Sequence, residues 1–234
     1  MSKAIVFSRS LRPEWLDRTV DIYLETEDKK QVKAKINEYL AGFIASPTNL
    51  RKTREILLHA WVNVEEVQKE LRDWGLKVYQ ECQTEEKVAV HWAMLLTAFP
   101  LFKDLCCIIG KLSAIQEEIT LAQITRRVYE IWGERTTLVH SIPKIMKTVR
   151  ECGVLEMGKP GCYKVVKKKV ANQEVILFML YAIMKTRGRL YHNFGELAGV
   201  AEFFPFNYEV ELQAFYDSPF FKVDRIGGEI VVSI

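Results

Sequence analysis

The chain has 234 residues, of which 49% are hydrophobic and 27% charged. These are proportions of a folded globular protein, so they exclude a disordered or collagen-like chain, and the length allows one or two domains. Because 33 basic residues face 30 acidic ones, the net charge of +3 does not by itself mark a nucleic-acid-binding protein.

The chain has no feature that predicts secretion or membrane insertion. Its five cysteines are an odd number without a CxxC pair, which is typical of reduced thiols in a cytoplasmic protein rather than of disulfides or a zinc ribbon. The apolar run from Ala4 to Phe7 is too short for a signal peptide. The longest apolar stretches, residues 175–184 and 88–102, fall short of the roughly 18 uninterrupted residues that a spanning helix needs. We therefore expect a cytoplasmic protein and no membrane partner.

Residues 1–117 have the apolar spacing of helices. Pro13 suits the first turn of the first helix, Ser46-Pro47 is expected to end the second, and Thr48 or Asn49 to cap the third. Three further helices are expected over residues 64–78, 85–98 and 101–117. No alternating β-branched run precedes residue 150, so this part predicts a helical bundle domain.

The pattern changes after residue 117. Thr120 and Gln123 form a capping-box pattern, and the helix that they begin is expected to end at Gly133. A second helix follows the turn over residues 134–137. Because the ring of Pro143 is best accommodated in a first turn, that helix is predicted to begin near His140 or Ser141. A hairpin is then expected over residues 154–166, with its turn at 158–161.

Helix, tight turn, helix and hairpin is the order of a winged helix-turn-helix. The predicted fold is mainly α: the bundle (1–117), a winged helix-turn-helix (118–170) that borrows its first helix from 101–117, and a C-terminal winged-helix-like unit (171–234) with a hairpin at Gly227-Gly228. The middle helix expected in the last unit, residues 208–216, contains the acidic stretch 208–211, which favours docking or dimerisation over DNA contact.

The basic charge is concentrated in the predicted winged helix. Residues 120–170 contain eleven basic and four acidic residues, a net charge of +7, whereas the remainder sums to −4. Such a localised excess is typical of a phosphate-binding surface. Candidate contacts to double-stranded DNA in the second helix are Ser141, Lys144, Lys147 and Thr148, on a face shared with His140. Lys159 and Lys164 are candidates in the wing, and Arg126, Arg127 and Arg135 are expected to position the duplex through its backbone.

Other basic clusters are less specific. Lys167 to Lys169 are as consistent with a solvated linker as with a phosphate-binding cluster. Arg51, Lys52 and Arg54 either extend the basic surface or mark an exposed helix start.

No catalytic, cofactor or metal motif is found in the sequence. It lacks GxxxxGK[ST], GxGxxG, HExxH and GxSxG strings, and its four histidines are far apart. Glu85-Glu86-Lys87 resembles a metal-nuclease element only superficially, since acids also favour a helix start. We therefore expect no enzyme and no cofactor. Two alternatives remain open: a protein-interaction scaffold that uses the winged-helix units for docking, and, with less support, a nuclease built from scattered acids.

Residues 98–110, 124–137 and 151–155 together resemble the BrxA-like winged-helix accessory proteins of bacterial BREX phage-defence systems. The likeness covers mainly residues 50–185 and consists of a pattern rather than a catalytic motif. It implies a small cytoplasmic, non-enzymatic protein that binds double-stranded DNA and works beside larger methyltransferase and ATPase partners.

Overall fold

The structure, a computed structural model, describes residues 7–234 and is mainly helical in that range. Its α-helices are α1 (Pro13–Thr26), α2 (Lys29–Ala41), α3 (Pro47–Trp61), α4 (Lys69–Glu81), α5 (Lys87–Ala98), α6 (Pro100–Ser113), α7 (Leu121–Trp132), α8 (Thr136–Glu151), α9 (Gln173–Arg187), α10 (Phe194–Leu197) and α11 (Leu212–Asp217). Its strands are β1 (Glu118–Thr120), β2 (Leu155–Met157), β3 (Cys162–Val165), β4 (Lys168–Lys169), β5 (His192–Asn193), β6 (Phe206–Asn207), β7 (Lys222–Ile226) and β8 (Glu229–Ser233). Short 3₁₀ turns cover Glu66–Gln68, Thr84–Glu86 and Ala201–Phe203.

The predicted helical N-terminal half is confirmed, with shifted helix boundaries. Helix α3 begins at Pro47, and the Ser46 hydroxyl accepts the N–H of Asn49 at 3.4 Å, so the prediction of a cap at Thr48 or Asn49 is wrong. Proline at the first helical position has no N–H to satisfy, which makes the preceding serine the natural cap. Helix α4 begins only at Lys69, because the predicted Val67 is exposed in a 3₁₀ turn.

Helix α9 connects the C-terminal residues to the bundle. Its ten consecutive residues from Val175 to Met184 are all buried, and it packs against α4 and α5. A helix that is apolar on every side must be surrounded by other elements. The buried side chains accordingly form one continuous core from α1 to β8, with Trp61 and Trp92 among the largest.

Residues 100–165 form a unit with the order α6, β1, α7, α8, β2, β3. Strand β3 lies between β1 and β2 and is antiparallel to both, with Tyr163 opposite Ile119 on one side and Met157 on the other. The expected capping box at Thr120 is present, and Gly133 ends α7 with φ +72°. Strand β1 was not predicted, because three residues are too few to show a sequence period.

Helix α8 begins at Thr136, which makes the predicted start near His140 or Ser141 wrong. Pro143 lies inside the helix, two turns from its start. Its ring removes one helical hydrogen bond, to the carbonyl of Val139. Because Val139 and Pro143 are both exposed, water can satisfy that carbonyl, while the buried Leu138 holds the first turn against the core.

The C-terminal residues repeat this order of elements. The order α9, β5, α10, α11, β7, β8 again gives an antiparallel sheet whose last strand is central, here β5-β8-β7. Gly227 and Gly228 connect β7 and β8 with φ values of +61° and +88°, which confirms the predicted two-residue turn. The helix predicted over residues 208–216 is present as α11 but begins only at Leu212, so the prediction that the acidic residues 208–211 are helical is wrong.

The structure also bears on the N-terminal apolar run and on the expectation that no helix spans a membrane. The apolar run that begins at Ala4 lies outside the described residues, except for its last member, Phe7, which packs between Phe99 and Phe102. Within residues 7–234 no single helix is long and apolar enough to cross a membrane. The pair formed by residues 84–98 and 100–113 would pass by length and composition together but is bent by 119°.

Candidate nucleic-acid interface

The exposed face of α8 carries a row of cationic side chains. Lys144, Lys147 and Arg150 are all exposed and follow one another at three-residue spacing, and His140 lies one turn before them. Residues three and four apart on a helix are neighbours, so these four side chains form a stripe along one side. The opposite side of α8 is buried against the core of its unit.

Ser141 and Thr148 do not belong to that stripe. Ser141 is 1% exposed and Thr148 is completely buried, on the inward side together with Ile145. The Thr148 hydroxyl accepts the backbone N–H of Leu11 at 2.8 Å and donates to the carbonyl of Lys144 at 3.0 Å. The expectation that these two residues contact DNA is therefore corrected, because both side chains are buried and the hydroxyl of Thr148 already has partners in the interior.

The arginines of α7 and of the α7–α8 turn are exposed. Arg126 and Arg127 both lie near Glu130, with N–O distances of 3.8 and 3.1 Å, and Arg135 is the residue that precedes α8. Ion pairs between exposed side chains contribute little free energy, so Glu130 leaves both arginines available to a stronger anionic ligand.

The two predicted wing residues differ in their surroundings. Lys159 is exposed in the turn between β2 and β3. Lys164 is on β3 directly opposite Glu118 of β1, and its ammonium lies 3.5 Å from that carboxylate. Lys159 is therefore a cation at the tip of the wing that forms no ion pair within the described residues. Lys164 instead forms an ion pair that supports the pairing of β1 with β3.

Within the part of the chain that the structure describes, the stripe on α8 has no carboxylate partner. In the range that the structure describes, no Asp or Glu oxygen comes within 4.0 Å of the charged nitrogens of Lys144, Lys147 or Arg150. Glu151 and Glu156 line the shallow groove beside Lys147 and Arg150 without forming an ion pair with them. Arg150 was not among the predicted contact residues, although its three-residue spacing from Lys147 would have identified it.

Outside this face, the buried His91 makes hydrogen bonds that hold the core together. His91 is 2% exposed: its Nδ1 accepts the indole N–H of Trp61 at 3.1 Å, and its Nε2 lies 3.0 Å from Asp17. Burial lowers the pKa of His91, which favours the neutral ring. Burial opposes ionisation of Asp17, but hydrogen bonds from His91 and Tyr79 outweigh it and hold the pKa of Asp17 below its usual value.

The buried thiols are equally inert. Burial raises the pKa of Cys106 well above its usual value and that of Cys152 to about 12, so neither is a thiolate at neutral pH. Among residues 7–234, no group of three or more His, Cys, Asp and Glu side chains is placed to hold a metal ion.

Comparisons with protein-family models, with curated proteins and with solved structures found no match.

Proposed function

We propose that the chain is a non-enzymatic accessory protein that binds double-stranded DNA, and that residues 100–165 are its winged helix-turn-helix. The observation that carries the proposal is the exposed stripe of Lys144, Lys147 and Arg150 on the third helix of a unit with this order of elements. Among residues 7–234 this stripe has no carboxylate partner. The charge excess of the same segment supports it, because a localised cationic surface attracts the phosphate backbone.

The dimensions of α8 suit a major groove. Its 16 residues extend over about 24 Å, and a major groove about 12 Å wide admits an α-helix. Lys144, Lys147 and Arg150 would then donate to guanine O6 and N7 or to phosphate oxygens. Lys159 at the tip of the wing would contact the adjacent backbone, and Arg126 and Arg127 would fix the register of the duplex without reading its sequence.

The cellular role is part of the proposal. The resemblance of residues 98–155 to BrxA-like proteins supports a bacterial phage-defence function beside methyltransferase or ATPase partners. A protein in that position needs to hold the duplex, while the larger partners carry out the chemistry.

The proposal is tested with a charge-reversal variant, Lys144→Glu/Lys147→Glu, and a labelled duplex. Both side chains are exposed and form no ion pair with the residues that the structure describes, so the variant should keep its melting temperature and lose at least tenfold in affinity for the duplex. The control is Lys222→Glu/Arg225→Glu on β7, where both residues are also exposed, and this variant should bind as the wild type does. Equal affinity of the folded α8 variant and the wild type would refute the proposed surface. Cleavage of the duplex when Mg²⁺ is added would indicate a nuclease instead.

A second candidate function is a protein-interaction scaffold, and one observation favours it for the C-terminal unit. Residues 190–234 contain seven acidic and two basic residues, a net charge of −5, and expose Leu190, Tyr191, Tyr216 and Ile226. Exposed apolar side chains among acids are typical of a protein contact and unfavourable beside phosphates. Binding of a protein partner in place of DNA by the intact chain would support this alternative.

A further inference from the structure

The N-terminal segment before α1 runs along the proposed DNA-binding helix. The backbone N–H of Leu11 donates to the Thr148 hydroxyl at 2.8 Å, and that hydroxyl donates to the carbonyl of Lys144. Because residues 144 and 148 are one turn apart, the segment lies beside the Lys144 side of α8. Arg12, the next residue, is exposed, with its guanidinium over the ring of Trp15.

The same segment also contacts the first turn of α3. The guanidinium of Arg9 donates twice to the side-chain oxygen of Asn49, at 2.7 and 3.0 Å. Two residues of chain cover at most about 7 Å, so the contacts of Leu11 and Arg9 connect α8 and the start of α3 through one short segment. Lys52 follows Asn49 by three residues and therefore shares its exposed side of α3.

These contacts connect three parts of the chain whose basic side chains we take together as one candidate surface. Its cations are Arg51 and Lys52 of α3, Arg9 and Arg12 of the segment, and Lys144, Lys147 and Arg150 of α8. Glu151 and Glu156 line the groove beside Lys147 and Arg150. The other carboxylate in the first turns of α3, Glu55, is held by Arg54 at 2.7 Å and by Lys33 at 3.7 Å, which leaves Arg51 and Lys52 without an ion pair in the described residues.

We infer that this surface is one continuous DNA-backbone track, in which the start of α3 extends the contact of the winged helix onto the helical bundle. The inference rests on the proposed function, because the duplex must first be held by α8. With α8 in the major groove, the Arg9–Arg12 segment lies at the edge of the groove. The phosphates of one strand recur about every 3.4 Å of helix axis, so the strand that borders the groove supplies ligands for Arg51 and Lys52. These contacts address phosphates and carry no sequence information.

The experiment compares Arg51→Gln/Lys52→Gln with Lys222→Gln/Arg225→Gln, a control that also removes one arginine and one lysine, but from β7. Duplex affinity is measured from 50 to 200 mM salt. Each phosphate contact changes the slope of log affinity against log salt by about 0.9, so losing two contacts makes the slope about 1.8 less steep. Over this fourfold salt range the wild type should then lose about twelvefold more affinity than the α3 variant. The β7 control should keep the wild-type slope.

The outcomes separate this inference from the proposed function. An unchanged slope in the folded α3 variant, with normal binding by the wild type, would refute the continuous track but would not affect the proposal that α8 binds DNA. Absence of duplex binding by the wild type would overturn both. Loss of slope in the α3 variant together with full binding by Lys144→Glu/Lys147→Glu would keep a bundle contact but refute α8 as the primary one.

Discussion

Replacing Thr148 by valine separates the structural role of this residue from a contact with DNA. Valine has nearly the same shape but no hydroxyl, so the buried N–H of Leu11 loses its acceptor and the Lys144 carbonyl loses a donor. A buried donor left without a partner costs about 1–3 kcal/mol. For a chain of this length, 1 kcal/mol lowers the melting temperature by about 2–4 °C, so we expect a decrease of about 2–12 °C.

The assay is thermal unfolding combined with amide hydrogen exchange. In the wild type the Leu11 amide should be protected, and in Thr148→Val it should exchange faster than the amides of the neighbouring α8 core. The matched control is Thr137→Val, the same substitution at an exposed position of the same helix, which should change stability by less than about 0.5 kcal/mol. Equal stability of the two variants, with a protected Leu11 amide in both, would refute the role assigned to the Thr148 hydroxyl.

Further predictions concern packing, pH and charge. Gly110→Ala would place a Cβ against the carbonyl oxygen of Ala201 and within 2.8 Å of its carbonyl carbon, so it should destabilise the protein by about 1–3 kcal/mol. Gly199→Ala is the control, because a Cβ there has no described atom within 4 Å and should not destabilise the protein. The free energies of unfolding of both variants are measured by chemical denaturation. Because burial lowers the pKa of His91, the folded protein keeps the neutral ring as the pH falls below about 6.5, while the unfolded chain takes up a proton and is thereby favoured. The urea midpoint should therefore decrease from pH 7 to pH 5.5, and a flat profile would contradict this. Arg150→Gln should make the salt dependence of duplex binding less steep by about 0.9; an unchanged slope would remove Arg150 from the interface.

Local sequence signals predicted the elements whose hydrogen bonds are local. The Thr120 capping box, the positive φ of Gly133 and the Gly227-Gly228 turn each depend on residues within a few positions, and all three are present. Strand β1 was not predicted, because it pairs with residues of β3 more than 40 positions away and a short sequence pattern does not indicate such a pairing.

The start of α8 was mispredicted because one local rule was given too much weight. Proline disfavours a helix interior, but burial of Leu138 and exposure of Val139 together allow the helix to begin before Pro143. The predicted site contains a related error. The apolar spacing correctly predicts that Lys144 and Lys147 face outward, but Ser141 and Thr148 are polar residues and were therefore assigned to the same face, although both are buried. Only the tertiary contact with Leu11 shows that Thr148 belongs to the interior.

The most direct measurement of the central claim is the affinity of the wild-type chain for a duplex as a function of salt concentration. Lys144, Lys147, Arg150 and Lys159 provide four cations on the proposed surface that form no ion pair within residues 7–234, and at about 0.9 per neutralised phosphate they predict a slope near −3.6. The contribution of Arg51 and Lys52 would bring it to about −5.4. A slope close to zero, or no binding at protein concentrations of about 10⁻⁴ M, would contradict DNA binding by this face.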